Sequence, residues 1–159
     1  YDLLMEKGRD ALAAVERHEV TPALEDVVEA TIYLSGLGFE NGGLAAAHAV
    51  NDGFAQEPQA HGMYHGEKVA FGTLVQLVLE KAPQEELEQV LAFLRDTGLP
   101  LTLAQLGVKE IVPETLKKVA EAAVVPTQST KNLRADITAQ EVYDAILEAD
   151  RIGRDYLAR

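Results

Sequence analysis

Apolar positions recur along most of the chain with the spacing of an α-helix. The clearest stripe follows the dipeptide Thr21-Pro22, which is a typical helix opening with a capping residue before a first-turn proline. The members of this stripe are Leu24, Val27, Val28 and Ile32. Their offsets of three, four and eight positions place them on one helical face. We expect Gly36 and Gly38 to end this helix.

Later segments show the same helical period. They are a short helix over 44–52 stopped by Gly53, an apolar helix over 66–81, and helices over 83–97, 113–123 and 139–152. Thr138 and Glu141 form the capping-box pattern ahead of the last one. Residues 54–65 are expected to form a polar loop, and residues 124–136 to form an irregular segment that crosses the surface. Because no segment alternates with period two, we predict an all-α helical bundle.

Composition narrows the class of protein. The 159 residues are 47% hydrophobic and 25% charged, which suits a single globular domain over residues 1–159. A net charge of −12 argues against binding to nucleic acid or to anionic membranes. There is no apolar span, no signal peptide and no cysteine, so we expect a cytoplasmic protein without disulfides or thiolate metal sites. The chain begins at Tyr1 in helix-like sequence, and we therefore expect a fragment or a clipped product.

Two histidines stand in settings that suit metal binding. His48 lies in a run of alanines over 45–49, where other elements can approach closely, and His65 directly precedes the apolar helix over 66–81. Imidazole nitrogens are common zinc ligands, and catalytic zinc sites usually have three protein ligands and one open position. Spacing alone also fits two ordinary hydrogen-bonded histidines, so both interpretations stay open at this point.

The sequence does not identify a third ligand. Glu40, Asp52 and Glu67 are nearby acids, but Glu67 suits a first-turn acid favoured by the helix dipole and Asp52 a helix end. His61 would face the later histidine only on a helix, and its glycine- and proline-containing surroundings indicate a loop. His18, in a charged run, is expected to be a solvated surface residue.

Two motifs stand out, residues 35–50 (SGLGFENGGLAAAHAV) and residues 64–77 (YHGEKVAFGTLVQL). Both closely resemble the glycerol dehydrogenases, a branch of the iron-type alcohol dehydrogenase family, and residues 98–106 and the last helix are also similar. The resemblance covers essentially all 159 residues. It implies the C-terminal helical, metal-binding domain of a fold shared with dehydroquinate synthases, without the N-terminal NAD-binding domain.

The resemblance also implies a site. The family's zinc is held by one aspartate and two histidines, and the histidines correspond to His48 and His65, whereas the aspartate falls outside this chain. Phe39 corresponds to a residue beside the substrate, so Phe39 and His48 are the expected substrate-binding residues. Asn51 departs from relatives that often have a second histidine there. An asparagine does not titrate near neutrality, which leaves proton release and the choice of polyol open.

The implied reaction is the oxidation of glycerol to dihydroxyacetone, with hydride passing to NAD. Zinc would polarise the hydroxyl as a Lewis acid, and both histidines would have to be neutral to bind it. We expect a homo-oligomer in the whole protein and an inactive isolated chain. That chain should expose an apolar wall near Phe39 and Leu44, and should therefore self-associate or be less stable than the whole protein.

Three alternatives remain. The isolated chain could be a non-catalytic helical assembly module, or the parent enzyme could act on another small polyol. A dehydroquinate synthase-like protein would need a basic phosphate-binding cluster. The basic groups, Lys117-Lys118 and residues 131–134, are better explained as helix surface and loop.

Overall fold

The computed structural model describes all 159 residues and contains eight α-helices and no β-strand, which confirms the predicted all-α class. The helices are α1 (Asp2–Glu16), α2 (Pro22–Glu29), α3 (Ser35–Gly42), α4 (Ala46–Gly53), α5 (His65–Glu80), α6 (Gln84–Asp96), α7 (Pro113–Ala123) and α8 (Ala139–Leu157). None of them is long and apolar enough to cross a membrane.

The chain divides into two compact units, Tyr1–Gly43 and Leu44–Arg159. We call them the first and second units. The single domain over residues 1–159 that length and composition predict stays a prediction. The boundary between the two units falls at the glycine pair Gly42-Gly43, where α3 ends.

Local capping begins the second helix of the first unit. Thr21 Oγ1 accepts a hydrogen bond from the backbone N–H of Leu24 at 3.3 Å, and Pro22 is the first helical residue, as predicted. A π-helical segment, Ala30–Leu34, then joins α2 directly to α3.

The prediction that Gly36 and Gly38 end this helix is wrong. Both glycines lie inside α3, and the helical backbone ends at Gly43, whose φ is 71°. A glycine inside a helix costs only about 1 kcal/mol, so it weakens a helix without stopping it. The backbone leaves the helical conformation at Gly43, whose positive φ a glycine adopts without steric penalty.

The second unit encloses the apolar core. Its largest fully buried apolar side chains are Phe54, Phe71, Leu74, Leu91, Leu101, Leu103, Leu106, Leu116 and Ile146. Phe54 and Phe71 meet edge to face, with ring centroids 6.1 Å apart. The core therefore lies between α5 and the helices and turns that surround it.

Two glycines allow α4 to pack at backbone distance against its neighbours. A Cβ on Gly72 of α5 would lie 2.4 Å from the carbonyl oxygen of Ala47, and one on Gly53 would lie 2.4 Å from that of Val119. These distances are shorter than any real contact of a Cβ atom, so only glycine fits. The close approach expected of the small residues around His48 is confirmed.

The helix ends of the second unit follow the predicted signals. Thr138 Oγ1 accepts from the N–H of Glu141 at 3.2 Å, and Glu141 Oε2 accepts from the N–H of Thr138 at 2.8 Å. The connections contain more structure than expected. Residues 54–65 include two 3₁₀ turns and bury Glu57, and residues 124–136 include a 3₁₀ turn that buries Thr130.

Candidate metal centre

The structure brings the two predicted histidines of the second unit together. His48 is the third residue of α4 and His65 is the first residue of α5. Their ring centroids are 5.6 Å apart, and the ring planes are tilted by 48°. The two imidazoles therefore converge from separate helices, as expected from the sequence, although their role as metal ligands stays a prediction.

His48 is positioned by the contact between α4 and α5. Ala45, at the N-cap position of α4, provides no side-chain cap. The cap comes from α5 instead, where Gln76 Oε1 accepts a hydrogen bond from the backbone N–H of Ala47 at 3.0 Å. Together with the close approach at Gly72, this bond ties the turn that contains His48 to the helix that begins at His65.

His65 is positioned by the start of α5. The backbone N–H of Tyr64 donates to Glu67 Oε2 at 2.7 Å, which closes the first turn of the helix. Glu67 therefore serves the start of the helix, as its position in the sequence predicts. The ring of His65 is exposed, so a ligand can approach it from solvent.

Burial and the neighbouring His65 favour the neutral form of His48. Partial burial lowers the pKa of His48 below its usual value, the neighbouring His65 lowers it further, and Asp52 opposes both effects. Since a metal binds the neutral imidazole, this shift favours the ligating form of His48 at neutral pH.

Asp52 lies one helical turn after His48, but its carboxylate is already occupied. Oδ1 accepts from Asn51 Nδ2 at 3.0 Å and Oδ2 accepts from Gln128 Nε2 at 3.2 Å. No group of three histidine, aspartate or glutamate side chains in the chain is placed to hold a metal ion. The chain thus supplies two converging imidazoles and no third ligand.

The remaining candidate residues are all exposed. His61 is exposed in a loop, as predicted, and its Nε2 is 3.0 Å from the carbonyl oxygen of Ala55. His18 is exposed, and Glu40 is exposed in α3 of the first unit. Phe39 also lies in α3, with 52% of its surface exposed. Its contact with a substrate stays a prediction.

The sequence did not indicate that two polar residues of the second unit are buried. Asn51 is 6% exposed and its Oδ1 has no hydrogen-bond partner. Glu57 is 1% exposed, and its Oε1 accepts from the backbone N–H of Gln59 at 3.1 Å while Oε2 has no partner. The Glu57-Pro58 dipeptide indicates extended backbone before a turn, but nothing local indicates that the carboxylate is buried.

Known proteins resemble the chain along its whole length. A glycerol dehydrogenase from Escherichia coli O6:H1 is 55% identical over 157 residues, which cover 99% of this chain and 43% of the relative. The solved structure of glycerol dehydrogenase from Schizosaccharomyces pombe matches 98% of this chain and 40% of its own, with 40% identity and a TM-score of 0.93. A probable glycerol dehydrogenase from Sinorhizobium meliloti matches 97% of this chain and 44% of its own, with 45% identity and a TM-score of 0.92.

No model of a protein family matches the chain. The relatives are oxidoreductases, and the fold of the chain is that of the helical part of such enzymes. More narrowly, the chain is a homologue of the glycerol dehydrogenases and is consistent with a C-terminal portion of one. It spans about 43% of the length of the Escherichia coli relative.

Proposed function

We propose that the chain is the metal-binding half of an NAD-linked, zinc-dependent glycerol dehydrogenase, which oxidises glycerol to dihydroxyacetone. His48 and His65 supply two of its three zinc ligands. The observation that carries this proposal is the convergence of the two imidazoles, whose centroids are 5.6 Å apart. The homology to glycerol dehydrogenases supports the choice of substrate.

The geometry of the two rings fits a shared zinc ion. An imidazole nitrogen lies about 2.0–2.1 Å from zinc, so two ring centroids on one tetrahedral zinc stand about 5 Å apart. The observed separation is close to this value. The lowered pKa of His48, caused mainly by burial, supplies the neutral donor that zinc requires.

The residues of this chain bind and orient. When bound, zinc would polarise the reacting hydroxyl as a Lewis acid. His48 and His65 would hold it, with their backbones fixed by the contact of α4 with α5, and Phe39 would lie beside the polyol. The aspartate ligand and most of the NAD site would belong to the rest of the protein. We therefore expect no turnover from residues 1–159 alone.

The identity of the polyol, the oligomeric state and the location of the protein are the less direct parts of the proposal. Asn51 stands one turn after His48 where relatives often have histidine, so a different small polyol is the alternative substrate. A homo-oligomeric state and a cytoplasmic location stay predictions. If the chain alone neither binds zinc nor completes an enzyme, the alternative of a helical assembly module is favoured.

A chimera tests the proposal. This chain replaces the matching 157 residues of the Escherichia coli glycerol dehydrogenase, with which it shares 55% identity. We expect the chimera to bind zinc and to oxidise glycerol, measured by NADH formation. His48→Ala should abolish zinc binding and lower activity more than about 100-fold, beyond the range that loss of an outer partner of a metal ligand causes.

His61→Ala is the matched control, because His61 is exposed and its ring nitrogen meets only a backbone oxygen. It should retain zinc and activity. Zinc at the unaltered stoichiometry in His48→Ala would contradict the assignment of His48. Faster oxidation of another polyol than of glycerol would replace the substrate and leave the ligands unaffected.

A further inference from the structure

A five-residue segment far along the chain contacts the helix that presents His48. Residues 128–132 belong to the connection between α7 and α8, for which the sequence showed no pattern. Three of their side chains donate hydrogen bonds to α4 or to the residues just before it: Ser129 Oγ to Ala45 O (2.8 Å), Asn132 Nδ2 to Leu44 O (2.8 Å) and Gln128 Nε2 to Asp52 Oδ2 (3.2 Å). The bonds therefore reach both sides of His48.

Helix α4 needs support from outside. It has only eight residues, Ala46–Gly53, and so short a helix is not stable by itself in water. Its N-cap Ala45 provides no side-chain acceptor, and the first backbone bond, from the N–H of Ala49 to Ala45 O, is long at 3.3 Å. Ser129 donates to the same oxygen, so a side chain from outside α4 supports the turn that contains His48.

The segment 128–132 is itself anchored. Thr130 is buried, and its hydroxyl donates to the carbonyl oxygen of Ala123 at the end of α7. The bond from Lys131 Nζ to the carbonyl oxygen of Pro126 (2.9 Å) is exposed, so Thr130 is the main anchor. Since α7 also meets α4 at backbone distance through Gly53, the segment can hold α4 against a fixed support.

We propose that Gln128, Ser129 and Asn132 form a polar clamp that positions His48 against His65. The proposal rests on the function proposed above, because it gives the clamp a role in placing a metal ligand. The three are positioning residues: their bonds go to the backbone before α4 and to Asp52, and they act on the metal through the orientation of α4.

The polarity of the bonds distinguishes a clamp from simple packing. Leu44 O and Ala45 O are both acceptors, so the clamp residues must donate. Asn132→Asp keeps the shape of the side chain but removes the N–H donor. Because the new carboxylate would then lie against the carbonyl oxygen of Leu44 and repel it, this variant should open the clamp. Ser129→Thr keeps the hydroxyl donor, so it should preserve the clamp.

The test uses the chimera described above, which includes the part of the enzyme expected to supply the third ligand, and its Ser129→Ala/Asn132→Ala variant. Zinc affinity is measured by competition with a chromophoric chelator, and backbone hydrogen exchange is measured in α4 and α8. We expect about tenfold weaker zinc binding, the lower end of the range for loss of an outer partner of a ligand, with faster exchange in α4 and unchanged exchange in α8. Lys131→Ala is the control, because it removes an exposed bond within the connection between α7 and α8 that does not reach α4.

Each outcome decides between the two proposals. Unchanged zinc affinity and unchanged exchange in α4 would overturn the clamp, as would an equal effect of Lys131→Ala. Faster exchange in α4 with unchanged zinc affinity would also overturn it, since the segment would then stabilise α4 without placing a ligand. If His48→Ala leaves zinc affinity unchanged, the ligand role of His48 fails, and with it the purpose assigned to the clamp.

Discussion

The two units of the molecule are both helical but bury their apolar residues very differently. All of the largest fully buried side chains lie in the second unit. In the first unit, only Gly8, Ala11 and Ala14 are buried, and Ile32 is 75% exposed. Regular helical periodicity therefore shows that a face is apolar without showing that it is covered.

This difference bears on the candidate site. His48 and His65 lie on helices of the packed unit, and rigid elements are the best supports for ligands that must keep an exact geometry. Phe39, the expected substrate contact, lies on α3, where every residue is exposed. Elements with few buried contacts open at lower free energy, so we expect the ligand pair to be more rigid than the substrate contact.

The largest expected effect follows directly from burial. Phe71→Ala removes a fully buried ring from the core of the second unit and should lower the free energy of unfolding by about 3–5 kcal/mol. Ile32→Ala removes a side chain that is mostly exposed and should change it by less than about 0.5 kcal/mol. Urea unfolding followed by circular dichroism measures both.

Phe71→Leu is the control for the loss of volume and should cost less than Phe71→Ala. Equal losses from Phe71→Ala and Ile32→Ala would show that the first unit contributes a core of comparable strength, which would contradict the contrast between the units.

Two glycine-to-alanine substitutions should change the stability of the protein in opposite directions. Gly72→Ala places a Cβ 2.4 Å from the carbonyl oxygen of Ala47, so α4 and α5 must separate, and we expect a loss of about 1–3 kcal/mol. Gly36 lies in α3, and a Cβ added there would meet nothing within 4 Å, so Gly36→Ala should stabilise that helix by about 0.5–1 kcal/mol. Hydrogen exchange in each helix measures the two effects separately, and slower exchange in Gly72→Ala would be the contrary result.

These pairs show which parts of the fold the sequence could predict. Local sequence signals were sufficient where a capping side chain and the backbone N–H that it binds lie within four residues of each other, as at Thr21 and Thr138. They failed at Gly36 and Gly38, because a glycine inside a helix does not by itself end that helix. This helix continues to Gly42 and ends where Gly43 takes a positive φ.

The candidate site likewise has one part that the sequence could predict and one part that it could not. The helical settings of His48 and His65 could be predicted, and the resemblance paired them. The clamp could not, since Ser129 and Asn132 find their acceptors 84 and 88 residues earlier in the chain. A hydrogen bond over such a separation leaves no periodic pattern in the sequence.

The smallest expected effect concerns the helix caps. Thr138 and Thr21 are both N-caps with a side-chain hydrogen bond, but α8 packs in the core whereas α2 has no buried residue. Thr138→Ala should cost about 1 kcal/mol, a typical value for a lost cap, in the cooperative unfolding of the second unit. Thr21→Ala should change that transition less, and an equal shift of the melting temperature would contradict the comparison.

The cap of α8 should also depend on pH. The backbone N–H of Thr138, followed by Arg134 and the hydroxyl of Thr138, lowers the pKa of Glu141 from 4.5 to about 2. A carboxyl group with a lowered pKa in the folded state stabilises that state fully above its unfolded pKa and loses this effect as the pH falls toward the folded value. The melting temperature of Glu141→Gln should therefore lie below that of the unaltered chain near neutral pH, and the gap should narrow between about pH 4.5 and 2. A gap that stays constant over this range would show that the charge of Glu141 does not contribute to the cap.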